Sequence, residues 1–159
     1  MPVELRPATE NDAAAIAMIW QAGWRDGHLG NVPDELAAFS TADTFRNRAA
    51  ANVADTTVAQ IDSQVAGFVM VVGDEVEQVY VTAAHRGSGV SDTLLAEAER
   101  LVASAGHPVA RLAVVPSNTR ARRFYERNGW TDDGGFLYEA PHASGTVTVP
   151  CRRYVKQVA

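Results

Sequence analysis

The chain contains 159 residues, of which 47% are hydrophobic and 21% charged, so it is long enough for one domain with a sizeable core and too apolar to be disordered. A net charge of −5 argues against nucleic acid as a partner, and the absence of any apolar run near the roughly 20 residues of a membrane span argues against the bilayer. The one cysteine, Cys151, excludes an internal disulfide and a cysteine-based metal cluster, and the N-terminus lacks the regions of a signal peptide. We therefore expect a single cytoplasmic domain over residues 1–159, with no metal ion, no nucleic-acid partner and no membrane contact.

The N-terminal part of the sequence predicts one strand and two helices. Val3–Arg6 alternates as a strand does. Thr9 and Asp12 then form a typical helix-start pair, and apolar residues follow at helical spacing through Trp24. Gly27–Pro33 is a loop whose proline suits the first turn of a second helix. The apolar side of that second helix consists of Leu36, Phe39 and Phe45.

The rest of the chain predicts six strands and two helices. The strands are expected near Val58–Ile61, Val65–Val72, Val76–Thr82, Ala110–Val115, Phe136–Ala140 and Val147–Tyr154, and the helices near Val90–Val102 and Ser117–Asn128. Asp62-Ser63-Gln64 is a tight connection between the first two of these strands, and Gly129 stands where a left-handed helix cap belongs. The order β-α-α-β-β-β-α-β-α-β-β indicates a mixed α/β fold built on one sheet.

The segment from Val79 to Ser91 carries a strand into a glycine-containing loop and then directly into an amphipathic helix. Glycine lets the backbone turn sharply, and the first N–H groups of a helix have no internal partner, so an anion is stabilised there. The arrangement favours a phosphate or pyrophosphate site, while an ordinary strand-to-helix turn also accounts for the loop taken by itself. Two nucleotide loops fit poorly, because no Gly-Lys-Ser/Thr ending follows and Asp92 occupies the place of a third glycine.

A second motif lies over residues 118–130, and with it the sequence resembles the GNAT superfamily of N-acetyltransferases. The family pattern Asn-x-x-Ala-x-x-Phe-Tyr-x-x-x-Gly-Phe/Trp is matched by Asn118, Ala121, Phe124, Tyr125, Gly129 and Trp130. The family's loop motif reads Arg/Gln-x-x-Gly-x-Gly/Ala, and Arg86–Ser91 matches it except at the end, where serine replaces glycine or alanine. The order of strands and helices agrees with the family over nearly the whole chain.

The resemblance implies an α/β (α+β) fold in which a mixed, mostly antiparallel central sheet is flanked by about four helices. A parallel strand pair would splay apart at the cofactor site, where acetyl-CoA binds as the acyl donor. The backbone of Val79 and Val81 would pair with the pantetheine arm, and Asn118 would contact that arm from the other side. The pyrophosphate would be bound by the loop amides of Arg86, Gly87, Ser88, Gly89, Val90 and Ser91.

The resemblance also implies a direct transfer of the acyl group to an amine, without an acyl-enzyme. Tyr125 would stand close to the thioester sulfur and donate a proton to the departing thiolate. The amide of Val79 or Tyr80 would stabilise charge on the carbonyl oxygen. Glu77, Glu75 or water would take the amine proton, and period-two alternation places Glu77 on the face of Val79 and Val81.

The acceptor is expected to be a small-molecule or peptide amine, and Trp24 and His28 occupy the region that shapes the acceptor pocket in this family. Dimerisation is common in the family, although no segment of this sequence locates an interface. A second class of function stays open, namely a non-catalytic or regulatory domain that binds acyl-CoA. The intact Asn118 and Tyr125 favour the enzyme.

Overall fold

The computed structural model describes residues 2–28, 34, 38, 40–142 and 145–159 of the chain. In these ranges seven strands form one sheet in the order β1-β2-β3-β4-β5-β7-β6. The strands are β1 (Glu4–Pro7), β2 (Thr56–Ile61), β3 (Gln64–Val72), β4 (Glu75–Val81), β5 (Val109–Val114), β6 (Thr131–His142) and β7 (Gly145–Gln157). The pairing is antiparallel between all neighbours except β4 and β5, which run parallel. The predicted mixed, mostly antiparallel sheet is therefore confirmed.

Four α-helices flank the sheet in the described part of the chain, and none of them is both long and apolar enough to cross a membrane. They are α1 (Ala13–His28), α2 (Ala42–Ala51), α3 (Val90–Ser104) and α4 (Thr119–Arg127). Thr41 caps α2, because its hydroxyl accepts a hydrogen bond from the Thr44 amide at 3.3 Å. Phe45 is buried, but its helix begins at Ala42 and is not the helix predicted to open at Pro33. Pro33, Leu36 and Phe39 lie outside the described residues.

The sheet separates two hydrophobic cores, because successive side chains of a strand point to opposite faces. In β3, Val69 packs under α3, while Phe68 and Met70 pack under α1 and α2. The α3 core is built on Val90, Leu94, Leu95, Ala98 and Val102. The α1–α2 core is built on Ile16, Ile19, Trp20, Phe45 and Ala49. Each fully buried large apolar side chain contributes about 1.5–3 kcal/mol to the free energy of folding.

The tight connection predicted between the first two central strands is confirmed as a two-residue hairpin loop. Asp62 and Ser63 have φ angles of 50° and 66°, which is the left-handed conformation that both central residues of a type I′ turn require. The predicted third loop residue, Gln64, is the first residue of β3. Aspartate tolerates this conformation better than most side chains, so the turn forms without glycine.

The two C-terminal strands are longer than the sequence predicted. β6 begins at Thr131 rather than near Phe136, and its pairing with β7 is irregular between Asp132 and Gly135. Gly134 has a φ angle of +113°, a conformation that glycine adopts readily, and its amide donates to the Asp132 carboxylate at 3.0 Å. Asp133 and Gly134 thus form a bulge opposite Arg153, within a continuous strand that they do not end.

Candidate active site

The parallel strands β4 and β5 run together only at their first residues and then separate. Glu75 pairs with Arg111, whose amide donates to the Asp74 carbonyl at 2.9 Å, and no later register position is shared in the described ranges. On its other side β4 pairs with β3, and the Thr82 amide donates to the Ala66 carbonyl at 2.8 Å. Because backbone groups alternate in direction along a strand, those of Val79 and Val81 point away from β3 and into the gap.

The loop after β4 has the geometry of an anion site. Gly87 and Gly89 have φ angles of +76° and +93°, and a Cβ atom added at either glycine would meet nothing within 4 Å. Gly89 directly precedes α3, so the free N–H groups of the first turn of that helix open onto the same space. The Arg86 guanidinium lies 2.5 Å from the Asp26 carboxylate of α1, an exposed ion pair between the loop and that helix.

Two adjoining cavities lie around the gap between β4 and β5. The first, which we call the loop cavity, has a volume of about 260 Å³ and includes Arg86, Gly87, Gly89 and Ser91 in its wall. The second, the tryptophan cavity, has a volume of about 160 Å³ and includes Trp20 and Trp24. Both cavities are lined by Val79, Tyr80, Asn118, Ala121 and Tyr125. A molecule bound in the loop cavity can therefore present one end to a molecule in the tryptophan cavity.

Asn118 caps α4 and closes one side of the gap. Its Oδ1 accepts a hydrogen bond from the Ala121 amide at 3.2 Å, which fixes the orientation of the side chain. A Cβ atom added at Gly27 would lie 2.8 Å from the Asn118 Nδ2 atom, and one added at Gly23 would lie 2.2 Å from the Tyr80 ring. The two glycines, one helical turn apart on α1, thus allow the Tyr80 and Asn118 side chains to pack beside the cavities.

Tyr125 stands where the two cavities meet, with its ring in an aromatic cluster. The ring centroids of Phe124, Trp130 and Tyr154 lie 5.2, 6.1 and 6.1 Å from that of Tyr125. Burial raises the pKa of Tyr125 to about 12, so the phenol is protonated at neutral pH and available as a hydrogen-bond donor. Its hydroxyl makes no hydrogen bond to any described residue, and a ligand in the gap can take that bond.

The predicted position of Glu77 on the face of Val79 and Val81 is wrong. The pairing of β4 with β3 shifts between Met70 and Val71, so that Glu77 is an extra, bulged residue. The bulge reverses the alternation, and the charge of Glu77 acts on Arg48 and Tyr138 on the α1–α2 side of the sheet. Burial and the neighbouring Glu75 raise the pKa of Glu77, while Arg48 opposes this rise. Glu77 is therefore a stronger base than an exposed carboxylate and lines the tryptophan cavity.

Glu75 is held in a different setting from Glu77. Its carboxylate lies 3.3 Å from the Arg153 guanidinium and 3.5 Å from that of Arg111. The carboxylate of Glu75 is thus engaged in ion pairs with two arginines. Of the two carboxylates weighed from the sequence, the surroundings favour Glu77 as the base.

Trp24 and His28 both line the tryptophan cavity, one turn apart near the end of α1. Their rings stack with a centroid separation of 5.2 Å, and the His28 Nδ1 atom lies 3.1 Å from the Trp24 carbonyl oxygen. Burial lowers the pKa of His28, so the ring is neutral at pH 7. Trp20, buried to 1% exposure, forms part of the core and of the cavity wall at once.

Two residues of the predicted loop motif do not line the loop cavity with their side chains. Ser88 donates its hydroxyl to the His85 carbonyl at 2.5 Å, and Val90, the first residue of α3, is buried to 1% exposure in the core beneath that helix. The structure also brings in residues that the sequence did not single out, among them Gly23, Gly27, Arg48 and Tyr138. The pair of glycines four residues apart on α1 was the one sequence signal that could have identified a close approach on that helix.

The family of the chain follows from its sequence as well as from this geometry. The model of the acetyltransferase (GNAT) family matches residues 13–130, which include α1, the loop and α4. The chain belongs to the GNAT family of acetyltransferases, and the resemblance inferred from the two motifs is confirmed. No curated protein matches the chain.

Solved structures with the same fold cover nearly all of the chain. The GCN5-related N-acetyltransferase of Rhodopseudomonas palustris has a TM-score of 0.76 at 20% identity, covering 99% of this chain and 96% of its own. The PaiA N-acetyltransferase of Thermoplasma acidophilum, solved in complex with coenzyme A, has a TM-score of 0.69 at 18% identity, with 99% of both chains covered. YncA of Salmonella typhimurium, solved with its cofactor acetyl-CoA, has a TM-score of 0.70 at 20% identity, covering 100% of this chain and 95% of its own.

Proposed function

We propose that the protein transfers an acyl group, acetyl in the first instance, from acyl-CoA to a primary amine by direct attack in a ternary complex. The observation that carries this proposal is the position of Tyr125 at the junction of the loop cavity and the tryptophan cavity. The loop cavity suits the donor, and the tryptophan cavity suits the acceptor. Only at their junction can the two substrates react.

The donor side fits an elongated molecule that carries a pyrophosphate and a peptide-like arm. The open glycine loop before α3 offers N–H groups to the pyrophosphate, and the backbone groups of Val79 and Val81 offer strand-like pairing to the amides of the arm. Coenzyme A has both parts. The coenzyme A bound to PaiA and the acetyl-CoA bound to YncA, in structures of the same fold, support this choice.

The acceptor starts as an ammonium ion, so one proton must leave the nitrogen before attack, a second must leave it as the amide forms, and one must reach the sulfur. We assign the first step to Glu77, directly or through water, because its raised pKa makes it basic and it lines the acceptor cavity. The free amine then attacks the thioester carbon, forming the C–N bond, and the C–S bond breaks to release the thiolate of coenzyme A. The nitrogen loses its second proton to solvent, which gives the neutral amide. The Val79 amide points into the gap and can stabilise the carbonyl oxygen, whereas the Tyr80 amide points toward β3.

Tyr125 serves the leaving sulfur in this scheme. With a pKa of about 12 the phenol is protonated when the thioester is attacked, and it can donate a hydrogen bond as negative charge develops on the sulfur. A phenol of this pKa stabilises a thiolate chiefly by that hydrogen bond. Full proton transfer to the thiolate is unfavourable, because the thiol that would form is more acidic than the phenol. The thiolate then takes its proton from solvent as it leaves.

The test is a calorimetric titration of the protein with acetyl-CoA, followed by an assay of thiol release across a library of amines. Saturable binding is expected, and the variant Gly89→Trp should lose it because the indole fills the loop cavity. Gly106→Trp is the matched control, since Gly106 has nearly the same φ angle, +94° against +93°, and lies at the other end of α3. Binding without amine-dependent thiol release would identify a non-catalytic acyl-CoA-binding protein, and absence of binding to every acyl-CoA would overturn the proposal.

A further inference from the structure

Arg48 places a positive charge in the wall of the tryptophan cavity. It lies on α2 next to the buried Ala49, and its guanidinium carbon stands 4.5 Å from the centroid of the Trp20 ring. The side chain is half-buried, and burial lowers the pKa of Arg48, although an arginine stays charged in any protein environment. The helix thus directs a cation toward the cavity from the same face that packs on the core.

This guanidinium has no counter-ion among the described residues. Most arginines of the chain are paired with a carboxylate at 4 Å or less. Within the described ranges Arg25, Arg120 and Arg123 also make no such pair, but all three are exposed. Arg48 is therefore the one partly buried arginine whose charge no described carboxylate neutralises. Withdrawal of an unpaired charge from water is costly, and a bound anion offsets that cost.

A second donor in the same wall also lacks an acceptor. The Trp20 side chain is 1% exposed, and its Nε1 atom is buried without a hydrogen-bond partner among the described residues. Buried polar groups are nearly always hydrogen-bonded, so an indole N–H of this kind calls for an explanation. Trp20 is also the ring on which Arg48 stacks, so the two donors without acceptors are neighbours.

The cavity also holds a negative charge that is kept apart from Arg48. Glu77 interacts electrostatically with Arg48, yet the two make no ion pair within 4 Å, and Tyr138 interacts with both. Glu75 is neutralised by Arg111 and Arg153. The cavity thus presents one cation and one separate carboxylate to its contents, which is the complement of a molecule with an ammonium and an anionic group close together.

From this arrangement we infer that the acceptor is an amino acid, whose carboxylate binds Arg48 and whose ammonium faces Glu77. The inference rests on the proposed acyl transfer and names the substrate class of the same site. Arginine suits this task because its planar donors bind a carboxylate in pairs. The volume of about 160 Å³ is well below the roughly 300–1,000 Å³ of pockets for drug-sized ligands, so the amino acid is small.

The test measures kcat/KM for thiol release from acetyl-CoA with each common L-amino acid as the acceptor. Three forms of each are compared: the free acid, its primary amide and its decarboxylated amine. At least one free acid should exceed its amide and its amine by about tenfold or more, the range of a charge-assisted hydrogen bond. Arg48→Gln should lower that acid-to-amide ratio at least tenfold. Arg46→Gln removes an exposed arginine from the same helix and should leave the ratio unchanged. Comparison of ratios between variants cancels the different amine pKa values of acid and amide.

The outcomes separate the inference from the function on which it rests. Release with neutral amines and amides in preference to acids, or a ratio unaffected by Arg48→Gln, overturns the amino-acid inference and leaves acyl transfer standing. No release with any amine overturns both. If Arg48→Gln fails to fold, Arg48→Lys must still lower the ratio, because lysine keeps the charge but loses the paired planar donors. Titration of the preferred acid into CoA-saturated protein should show binding that Arg48→Lys weakens.

Discussion

Glu75 and Glu77 lie two positions apart in β4 but among different charges. Glu75 is paired with two arginines, while burial raises the pKa of Glu77. If Glu77 is the base, kcat/KM should rise with pH through that raised pKa, because only the ionised carboxylate accepts the amine proton. The variant Glu77→Gln should lose this acidic limb of the pH profile and about 10²-fold in rate. Glu75→Gln is the matched variant, and a limb that disappears there instead would reassign the base.

Tyr125 allows a second test, in which only one hydroxyl group is removed. Removal of the hydroxyl in Tyr125→Phe leaves the ring in its aromatic cluster but takes away the donor for the leaving sulfur. We expect kcat to fall by about 10²-fold or more, with little change in the Kd for acetyl-CoA. Tyr154→Phe is the control, since its hydroxyl donates to the exposed Glu126 at 2.6 Å and Tyr154 lines neither cavity. Unchanged kcat in Tyr125→Phe would show that the leaving group needs no help from this residue.

The interaction of Asp12 with Arg6 makes the stability of the fold depend on pH. Its carboxylate accepts two hydrogen bonds from Arg6, at 2.8 and 3.0 Å, which lower the pKa of Asp12 from 3.8 to about 2. A lowered pKa means that the stabilisation is complete above the unfolded pKa and disappears as the pH falls through the folded one. Asp12→Asn should therefore cost on the order of 1–2 kcal/mol in the free energy of unfolding at about pH 6, and much less near pH 2. Urea titrations at both pH values measure the difference, and a constant cost would contradict the assignment.

At the scale of elements, the packing of α1 on β4 depends on the lack of a side chain at Gly23. A Cβ atom there would lie 2.2 Å from the Tyr80 ring, so Gly23→Ala should displace the helix or the ring and cost about 1–3 kcal/mol. In a Tyr80→Ala background the same change should instead stabilise the fold, because alanine favours a helix by about 0.5–1 kcal/mol over glycine. Thermal unfolding of the parent chain, the two single variants and the double variant completes this double-mutant cycle. A stabilising Gly23→Ala in the parent chain would exclude the close contact.

The sequence predicted those elements whose pattern is local. It failed where pairing with a neighbouring strand determines the bounds of a strand or the face of a side chain. α3 and α4 could be predicted because their apolar residues repeat at helical spacing, glycines flank α3, and Asn118 and Gly129 flank α4. The early start of β6 was missed because Gly134 and Gly135 resemble a turn, and only the pairing of β6 with β7 keeps them in a strand. The true face of Glu77 was missed for a related reason, since the bulge belongs to the register of β4 against β3.

The candidate site divides in the same way. The loop and Asn118 could be predicted because the residues of each family motif are contiguous in sequence. Arg48 could not, because it is distant in sequence from the other residues of the tryptophan cavity and only the fold brings α2 against them. An arginine beside the buried Ala49 on α2 was nevertheless a visible irregularity in the amphipathic pattern.

For the whole molecule, the gap between β4 and β5 means that donor binding should complete the sheet. Acetyl-CoA should slow hydrogen exchange at the amides of Val79 and Val81, which point into the gap, while the β2–β3 hairpin remains unchanged. At a concentration of about 100 times Kd the ligand should also raise the free energy of unfolding by about 2.7 kcal/mol. Exchange measured by mass spectrometry with and without acetyl-CoA provides the check. Protection spread evenly over the sheet would indicate general tightening and not a ligand between the two strands.

The splayed strands have a consequence for the behaviour of the protein in solution. Where β4 and β5 separate, each has a free edge in the middle of the sheet, and a free edge is a template on which another extended chain can add itself. Proteins usually protect such edges with charges, prolines or covering loops, whereas here the substrate itself would cover them. Bound acyl-CoA would then protect the protein against aggregation as well as serve as a reactant. The protein would be most prone to self-association at low concentrations of the acyl donor.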